Sequence, residues 1–504
     1  MSENIPADAD LMQKLISLCK RRGFVFQSSE IYGGLKSCYD YGPLGVELKR
    51  NIMNEWWRSM VHERENIVGL DASIMMHPKV WEASGHLSSF TDPLVDCLNC
   101  KERFRADKAP SVEKGTIVTW EKKADRKKIQ GPADRGYLCP VCGSADFSPE
   151  RNFNLMFKTF MGSVDPVGQV AEKLAGKDLS ATQIREILEA ELKSSTIYLR
   201  PETAQAMFVQ FSNIQKALSL KVPFGIAQMG KSFRNEVTVE HFIFRSCEFE
   251  QMEMEFFCQP GTQKEWMAYW KEARLNWYKR YANFPEKFTL RQHDADELAH
   301  YADDCYDVEY EYPWGWDELE GIASRTDYDL KKHSAVSGEN LTYFDQQATD
   351  PETGKVGWRY TPYVIEPAAG ATRGTLCYLL DAYCEEKGVD AKGEEKIRVV
   401  LKLHPRLAPI KVAVLPLMKK DGMPELARQI VDQFFKAGVM AKYDDNTSIG
   451  KRYARHDEIG TPYCLTVDPE SLQDGTITIR DRDTTEQKRI SVKDALSEIQ
   501  ARLA

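Results

Sequence analysis

The sequence predicts an α+β protein in three pieces, and three observations carry that expectation. Between residues 196 and 375, short apolar strand-like runs ("IYLR", "FGIAQMG", "CEFEQMEMEFF", "PYVIEP") alternate with helical stretches. Residues 97–142 change character, because two Cys-x-x-Cys pairs bracket a long charged stretch. After "LHPRLAPIKV" the alternation resumes and fills about a hundred residues, an ordinary size for one small α/β domain. The expected boundaries are 1–96 and 151–408 for the two parts of a main domain, 97–150 for an inserted module, and 409–504 for the C-terminal unit.

Taken in order, Leu11, Leu15 and Leu18 recur at helical spacing, and Leu44, Leu48, Ile52, Trp56 and Met60 recur every four residues. Pro43 precedes the second set, where a first-turn proline suits a helix. Its Trp56/Trp57 pair suits burial against another domain or subunit. The stretch inside 97–142, "VEKGTIVTWEKKADRKKIQGPADRG", reads as an exposed excursion, and residues 165–195 as a second polar insertion containing a helix. "EWMAYWKEARLNWYKRYA" is a clear helix. The C-terminal unit offers "KVAVLPL", "TPYCLTV" and "GTITIR" as strands, with "MPELARQIVDQFFKAG" and "VKDALSEIQARLA" as helices.

The composition, 42% hydrophobic and 28% charged over 504 residues, is that of an ordinary globular chain. A net charge of −9 excludes nucleic-acid binding by bulk charge, so such a role needs local basic patches. No apolar run approaches the roughly 18 residues of a membrane span, and the N-terminus lacks the basic start and apolar core of a signal peptide. Twelve cysteines scattered through apolar segments suit reduced thiols. We expect a cytoplasmic protein without membrane contact.

Two constellations carry chemistry. Cys97-x-x-Cys100 and Cys139-x-x-Cys142 match the two knuckles of a zinc ribbon, in which four thiolates hold a structural Zn²⁺. The second is "FRNEVTVEHFIFRSCEFEQMEMEFF" at 233–257, with two arginines and six glutamates. Glu248 and Glu250 fall on one strand parity, Glu253 and Glu255 on the other. Carboxylates among apolar residues on both faces are costly unless cations or ligands meet them. That points to a site.

Arg234-Asn235-Glu236 followed by Arg245-x-x-x-Phe249 resembles motif 2 of the class II aminoacyl-tRNA synthetases. "IEPAAGATRGTLCYLLDAY" at 365–383 resembles motif 3, and the helix at 43–60 with "GPLG" resembles motif 1, the dimer element. "LRPETAQAMF" (199–208) and "WDELEGIASRTDYDL" (316–330) narrow the resemblance to the dimeric bacterial glycyl-tRNA synthetases, over nearly the whole chain except the two insertions.

The resemblance implies an antiparallel catalytic sheet flanked by helices, a C-terminal anticodon-binding domain, a homodimer, and ligation of glycine to tRNA(Gly) with ATP. A glycine carboxylate is already an anionic nucleophile, so activation needs cations and positioning rather than a base. By resemblance Arg234 and Arg373 are the catalytic pair, gripping the α- and γ-phosphates. Glu236 takes the adenine amine, Phe249 stacks on the ring, Arg245 lies near the triphosphate, and Glu318 helps hold Mg²⁺. The wider ATP set is Asn235, Phe244, Ser246, Cys247, Glu248, Leu319, Gly370, Ala371 and Thr372. The glycine set is Arg105, Glu202, Phe249, Glu250, Gln251, Met252, Glu253, Glu366, Pro367, Ala368, Ala369 and Gly370, with Glu202, Glu253 and Glu366 clamping the ammonium.

Two departures stand out: Cys247 replaces an arginine common in the family, and Ala368 a serine. The first removes a phosphate contact and the second a hydroxyl near the substrate. In the C-terminal unit, Lys plus Arg and Asp plus Glu both number 15 from Pro409 to Ala504. "GKRYARHDEIGTPY" gathers Lys451, Arg452, Arg455 and His456 around Tyr453, which suits an unstacked RNA loop; composition leaves a solvated basic helix equally open. The competing readings are an inactive synthetase-like nucleic-acid-binding accessory protein, which the retained arginines and carboxylates disfavour, and a class II synthetase for another small amino acid, which "RPETAQ" and "FEQMEME" disfavour.

Overall fold

The computed structural model describes residues 8–106, 109–163, 165–237, 241–299, 301–389 and 395–503. Its centre is a seven-stranded sheet of β1 (Ile67–Gly69), β2 (Phe224–Phe233), β3 (Glu248–Cys258), β4 (Phe288–Gln292), β5 (Asp304–Tyr312), β6 (Gly315–Thr326) and β7 (Tyr363–Gly370). The spatial order is β4-β5-β6-β7-β3-β2-β1, antiparallel throughout except for β1 beside β2. Strands β4 and β5 escape a reading by hydrophobicity, since "DCYDVEYEY" carries acids among its aromatic residues.

Helices cover both faces, which is why "MEMEFF" shows no alternation of apolar and polar residues: Met252 to Cys258 are all buried. On one face α2 (Pro43–Trp57), α4 (Gln263–Arg280) and α6 (Ala371–Ala382) form a core with Met252, Met254 and Phe256, and α1 (Asp8–Arg22) joins at its edge. On the other, α3 (Ala204–Leu218) and α5 (Tyr328–Ser337) contribute Met207, Phe208, Phe211 and Leu330 against Ile226 and Phe257. The four-residue period of α2 is explained by Leu48, Ile52 and Trp56, all fully buried. Gly45 is required where α2 crosses the chain, because a Cβ there would fall 1.8 Å from the Phe24 carbonyl oxygen.

The first insertion stands on a three-stranded sheet, with Thr91–Asp96 between Arg103–Arg105 and Arg151–Asn154, and projects the hairpin Ile117–Glu121/Lys128–Pro132. The second insertion forms two helices, Pro166–Leu174 and Ala181–Ser195, where the sequence suggested one. Gly176, at φ 69°, and a capping box of Ser180 with Gln183 break it in the middle.

The C-terminal domain has its own core and a five-stranded mixed sheet: Ala441–Tyr443, Val412–Pro416 and Tyr463–Val467 run parallel, and Thr476–Asp481 and Gln487–Ser491 continue antiparallel. Among the described residues no helix is long and apolar enough to cross a membrane.

Candidate active site

A cavity of about 200 Å³ opens on the α3/α5 side of β3, β6 and β7, and its two ends differ in charge. At one end three arginines converge. Arg234 leaves the end of β2, its Nε donates to the Pro201 carbonyl at 3.0 Å, and its guanidinium lies over the rings of Phe249 (5.2 Å) and Phe90 (5.4 Å). Arg245 lies 3.6 Å from Glu236. Arg373, in the first turn of α6, lies 2.9 Å from a Glu318 carboxylate oxygen and over the Phe244 ring. Arg373 holds the Glu318 carboxyl below its usual range, outweighing the burial that opposes it. A register irregularity opposite Val308/Glu309 lets Glu318 face the cavity although Glu320, two residues on, is buried on the far side.

At the other end carboxylates outnumber cations. Arg325 makes a bidentate pair with Asp329 (2.8 and 3.0 Å) and reaches Glu366 at 2.8 Å, with its guanidinium 4.0 Å from the centre of the Tyr301 ring. Glu253 accepts from the Thr203 backbone N–H (3.0 Å) and hydroxyl and from Gln251 (3.3 Å). Burial first, then Glu366 and Glu202, push its carboxyl up to about 8. Glu202 takes Gln205 Nε2 at 2.9 Å and faces His86 at 3.3 Å; burial alone would raise it, but His86 and Arg325 hold it far below the usual carboxylate range. Glu366 is raised by burial, an effect that Arg325 offsets in part. Such a cavity suits a molecule with an ammonium at one end and anions at the other.

Of the residues expected from the sequence, Glu202, Arg234, Glu236, Phe244, Arg245, Ser246, Phe249, Gln251, Glu253, Glu318, Glu366, Ala368, Ala369, Gly370, Thr372 and Arg373 line this cavity. The others lie elsewhere. Strand parity turns Glu248 and Glu250 away from Phe249, Gln251 and Glu253: Glu248 pairs with Lys231, and Glu250 with Lys49 of α2. Met252, Leu319 and Ala371 are buried in the core, and Pro367 has the opposite parity to Glu366 and Ala368. Asn235 is fixed by its backbone N–H to Leu155 O (2.8 Å), and Cys247 Sγ lies 4.0 Å from the Glu236 carbonyl. Arg105 belongs to the inserted sheet, 2.9 Å from Asp92.

Sequence reasoning missed Arg325, Asp329, Gln205, His86 and Tyr301. Arg325 and Asp329 sat inside the quoted "WDELEGIASRTDYDL", but Arg325's other partner, Glu366, lies 41 residues away in sequence. A lone histidine such as His86 gave no signal.

The four knuckle cysteines converge. Cys97 Sγ lies 3.6 Å from Cys142 Sγ, Cys100 Sγ 3.6 Å from Cys139 Sγ, and all four sulfurs fall within 4.8 Å of one another. Lys101 and Gly143, next after the knuckles, both have positive φ (66° and 67°), which closes each turn. In the C-terminal domain the expected RNA patch on Ile449–Glu458 is half internal. Arg452 donates to the carbonyls of Pro416, Asp444 and Leu417, and His456 is buried beside Asp444. An amphipathic helix hides part of a basic run, and composition cannot say which part.

Residues 188–383 match the tRNA synthetase class II core domain (G, H, P, S and T), and residues 411–502 match an anticodon binding domain. Sheet, motifs and cavity together define a class II aminoacyl-tRNA synthetase. The chain is 48% identical to a glycine–tRNA ligase of Treponema denticola over 492 residues, covering 98% of this chain and 97% of that one. It is 48% identical to one of Geobacillus thermodenitrificans, covering 96% of each, and 45% identical to one of Clostridium perfringens, covering 98% of each. The chain belongs to the glycine–tRNA ligase family.

Proposed function

We infer that the protein activates glycine with ATP and transfers it to the 3′ end of tRNA(Gly), as an ATP-dependent aminoacyl-tRNA ligase. The observation that carries this reading is the polarity of one continuous cavity, three arginines at one end and a carboxylate cluster at the other. Glycine offers only its ammonium, its carboxylate and the absence of a side chain. Glu202, Glu253 and Glu366 clamp the ammonium, and rejection of larger amino acids falls to the walls beside it. The glycine carboxylate then points toward the arginines and attacks the α-phosphorus of ATP; a P–O bond to glycine forms as the bond to pyrophosphate breaks.

Arg234, steadied by two rings and a backbone carbonyl, holds the α-phosphate beside the incoming carboxylate, and Arg373 holds the γ-phosphate. Glu236 accepts from the adenine amine, Phe249 stacks on the base, and Arg245 is within reach of the triphosphate. Glu318 would offer a hard oxygen donor to Mg²⁺, and the ion, when bound, would neutralise phosphate charge. The reading gives no role to Arg105, Glu250 or Pro367.

In the second step the adenylate's carbonyl passes to a ribose hydroxyl of tRNA and AMP leaves, while the C-terminal domain holds the anticodon. Cys97, Cys100, Cys139 and Cys142 would hold a structural Zn²⁺, their paired sulfurs at 3.6 Å fitting a four-thiolate site. Exposed Ile31, Tyr32 and Leu35, in the segment preceding α2, favour a homodimer. Twelve cysteines outside any disulfide favour the cytoplasm. Glycine-dependent exchange of pyrophosphate into ATP tests the central claim. Exchange with glycine well above that with alanine, serine, proline or threonine is expected, and a preference for any of those four would refute it.

A further inference from the structure

Glu255 stands behind the carboxylates of the cavity. This residue is fully buried on the cavity side of β3, and neither carboxyl oxygen has a hydrogen-bond partner among the described residues. Strand register places it. Glu253 pairs with Ala368 and Phe256 with Ile365, so Glu255 stands across from Glu366 on β7. Carboxylate oxygens of Glu253, Glu255 and Glu366 all lie within 4.8 Å of one another.

The groups facing Glu255 are Glu253 on its own strand, Glu366 from β7, Arg325 from β6 and Asp329 from α5. The amide of Gln228, across β2 from Glu253, is also fully buried and without a partner among the described residues. Arg325 is already engaged by Asp329 and Glu366. One guanidinium therefore faces five carboxyl groups, counting Glu202 and Glu255. Like charges this close, out of water, cannot all ionise, so protons must be shared among them. Burial first, and then Glu366, push the Glu255 carboxyl well above its usual value.

We propose that Glu255 is a positioning residue for glycine, a carboxyl behind Glu253 and Glu366 that holds a proton before the ammonium docks and gives it up to solvent as the ammonium arrives. The ammonium brings the positive charge that the proton had supplied, so the charge of the cluster is conserved across binding. The O–H bond of Glu255 breaks, the proton leaves to water, and its electron pair stays on the carboxylate, which then reinforces Glu253 and Glu366 under the ammonium. No oxidant or further reactant is needed. The proposal rests on glycine being the substrate, and it adds a fourth carboxyl to the three that touch the ligand.

Linkage gives the sign. If docking lowers the pKa of Glu255, glycine binds more tightly as pH rises between the bound and free values, so the glycine KM falls with pH. Wild type is first checked for glycine-dependent exchange, because failure there refutes the ligase reading and not this one. Calorimetry of glycine binding to the wild-type protein, in buffers of different ionisation heat, should show proton release at pH 7; no release overturns the proposal. In Glu255→Gln, which cannot titrate, proton release should drop and the glycine KM should lose its fall with rising pH. Glu255→Asp should restore that fall. If Glu255→Gln folds, with its ATP KM intact, and keeps both the release and the pH-dependent KM, the proton sits elsewhere and the proposal is wrong.

Discussion

Strand β6 buries an arginine on each face, and the two are built for different ends. On the α4 face, Arg274 meets Glu320 through two bonds of 2.7 and 3.1 Å, one cation to one anion, with Trp277 and Tyr278 stacked alongside. On the opposite face, Arg325 is also fully engaged, yet Glu202, Glu253 and Glu255 crowd the same region. The first arrangement is charge-balanced and needs nothing further. The second is short of positive charge, and a ligand's ammonium corrects it. Stoichiometry of buried charge, more than burial itself, separates a structural ion pair from a binding site.

Breaking the balanced side should have the largest effect, and on stability. Arg274→Ala leaves Glu320 buried and alone, so folding free energy should fall by about 3–5 kcal/mol in denaturant titrations. A loss under about 1 kcal/mol would mean that Glu320 finds other relief. The cavity side should answer in turnover instead. Arg373→Ala is expected to slow glycine-dependent exchange by roughly 10²- to 10³-fold, the usual cost of losing one preorganised donor to a developing anion. Its unfolding curve should stay near that of wild type.

Glu253→Gln should raise the glycine KM about 10- to 100-fold, as expected for a charge-assisted bond of about 1.5–3 kcal/mol, and leave the ATP KM nearly unmoved. It also carries a pH signature. Burial and the neighbouring Glu366 and Glu202 raise Glu253 to about 8, so it shares the cluster's protons with Glu255, whereas in the unfolded chain it titrates near 4.5. Glu253's own contribution to stability is therefore greatest below the lower value and declines as pH rises toward the higher one. Glu253→Gln should flatten that decline, and an unchanged slope would place the proton on another group. The smallest effect belongs to Glu250→Gln, on the far face beside Lys49, which should shift the glycine KM less than about twofold, since strand alternation points it away from the substrate. A large shift would make the parity assignment wrong.

Much of this was legible in the residues themselves. The spacing of Leu48, Ile52 and Trp56 wrote α2 directly, and the paired knuckles wrote the cysteine cluster because each turn is local. Carboxylates on both parities of β3 were visible too. Which parity faced the ligand was not, since that depends on where α2, α4 and α6 pack, and those contacts span hundreds of residues. A contiguous stretch such as Phe249–Glu253 therefore read as one site although the strand divides it between two faces. The flip between Glu318 and Glu320 was equally hidden, because a bulge is a property of the partner strand as well. Arg452 and His456 looked like a surface patch, since sequence counts charges without showing which are turned inward.

The inserted cysteine module has its roots beside Arg234. Its first strand follows Phe90, which covers Arg234, and its last returns through Leu155, whose carbonyl holds the residue after Arg234. The module and that arginine thus share an anchorage. Slack introduced at Cys97, seven residues and about 25 Å of contour from Phe90, should reach Arg234 through that shared anchorage. A substitution that looks remote on a map can thereby act as a throttle.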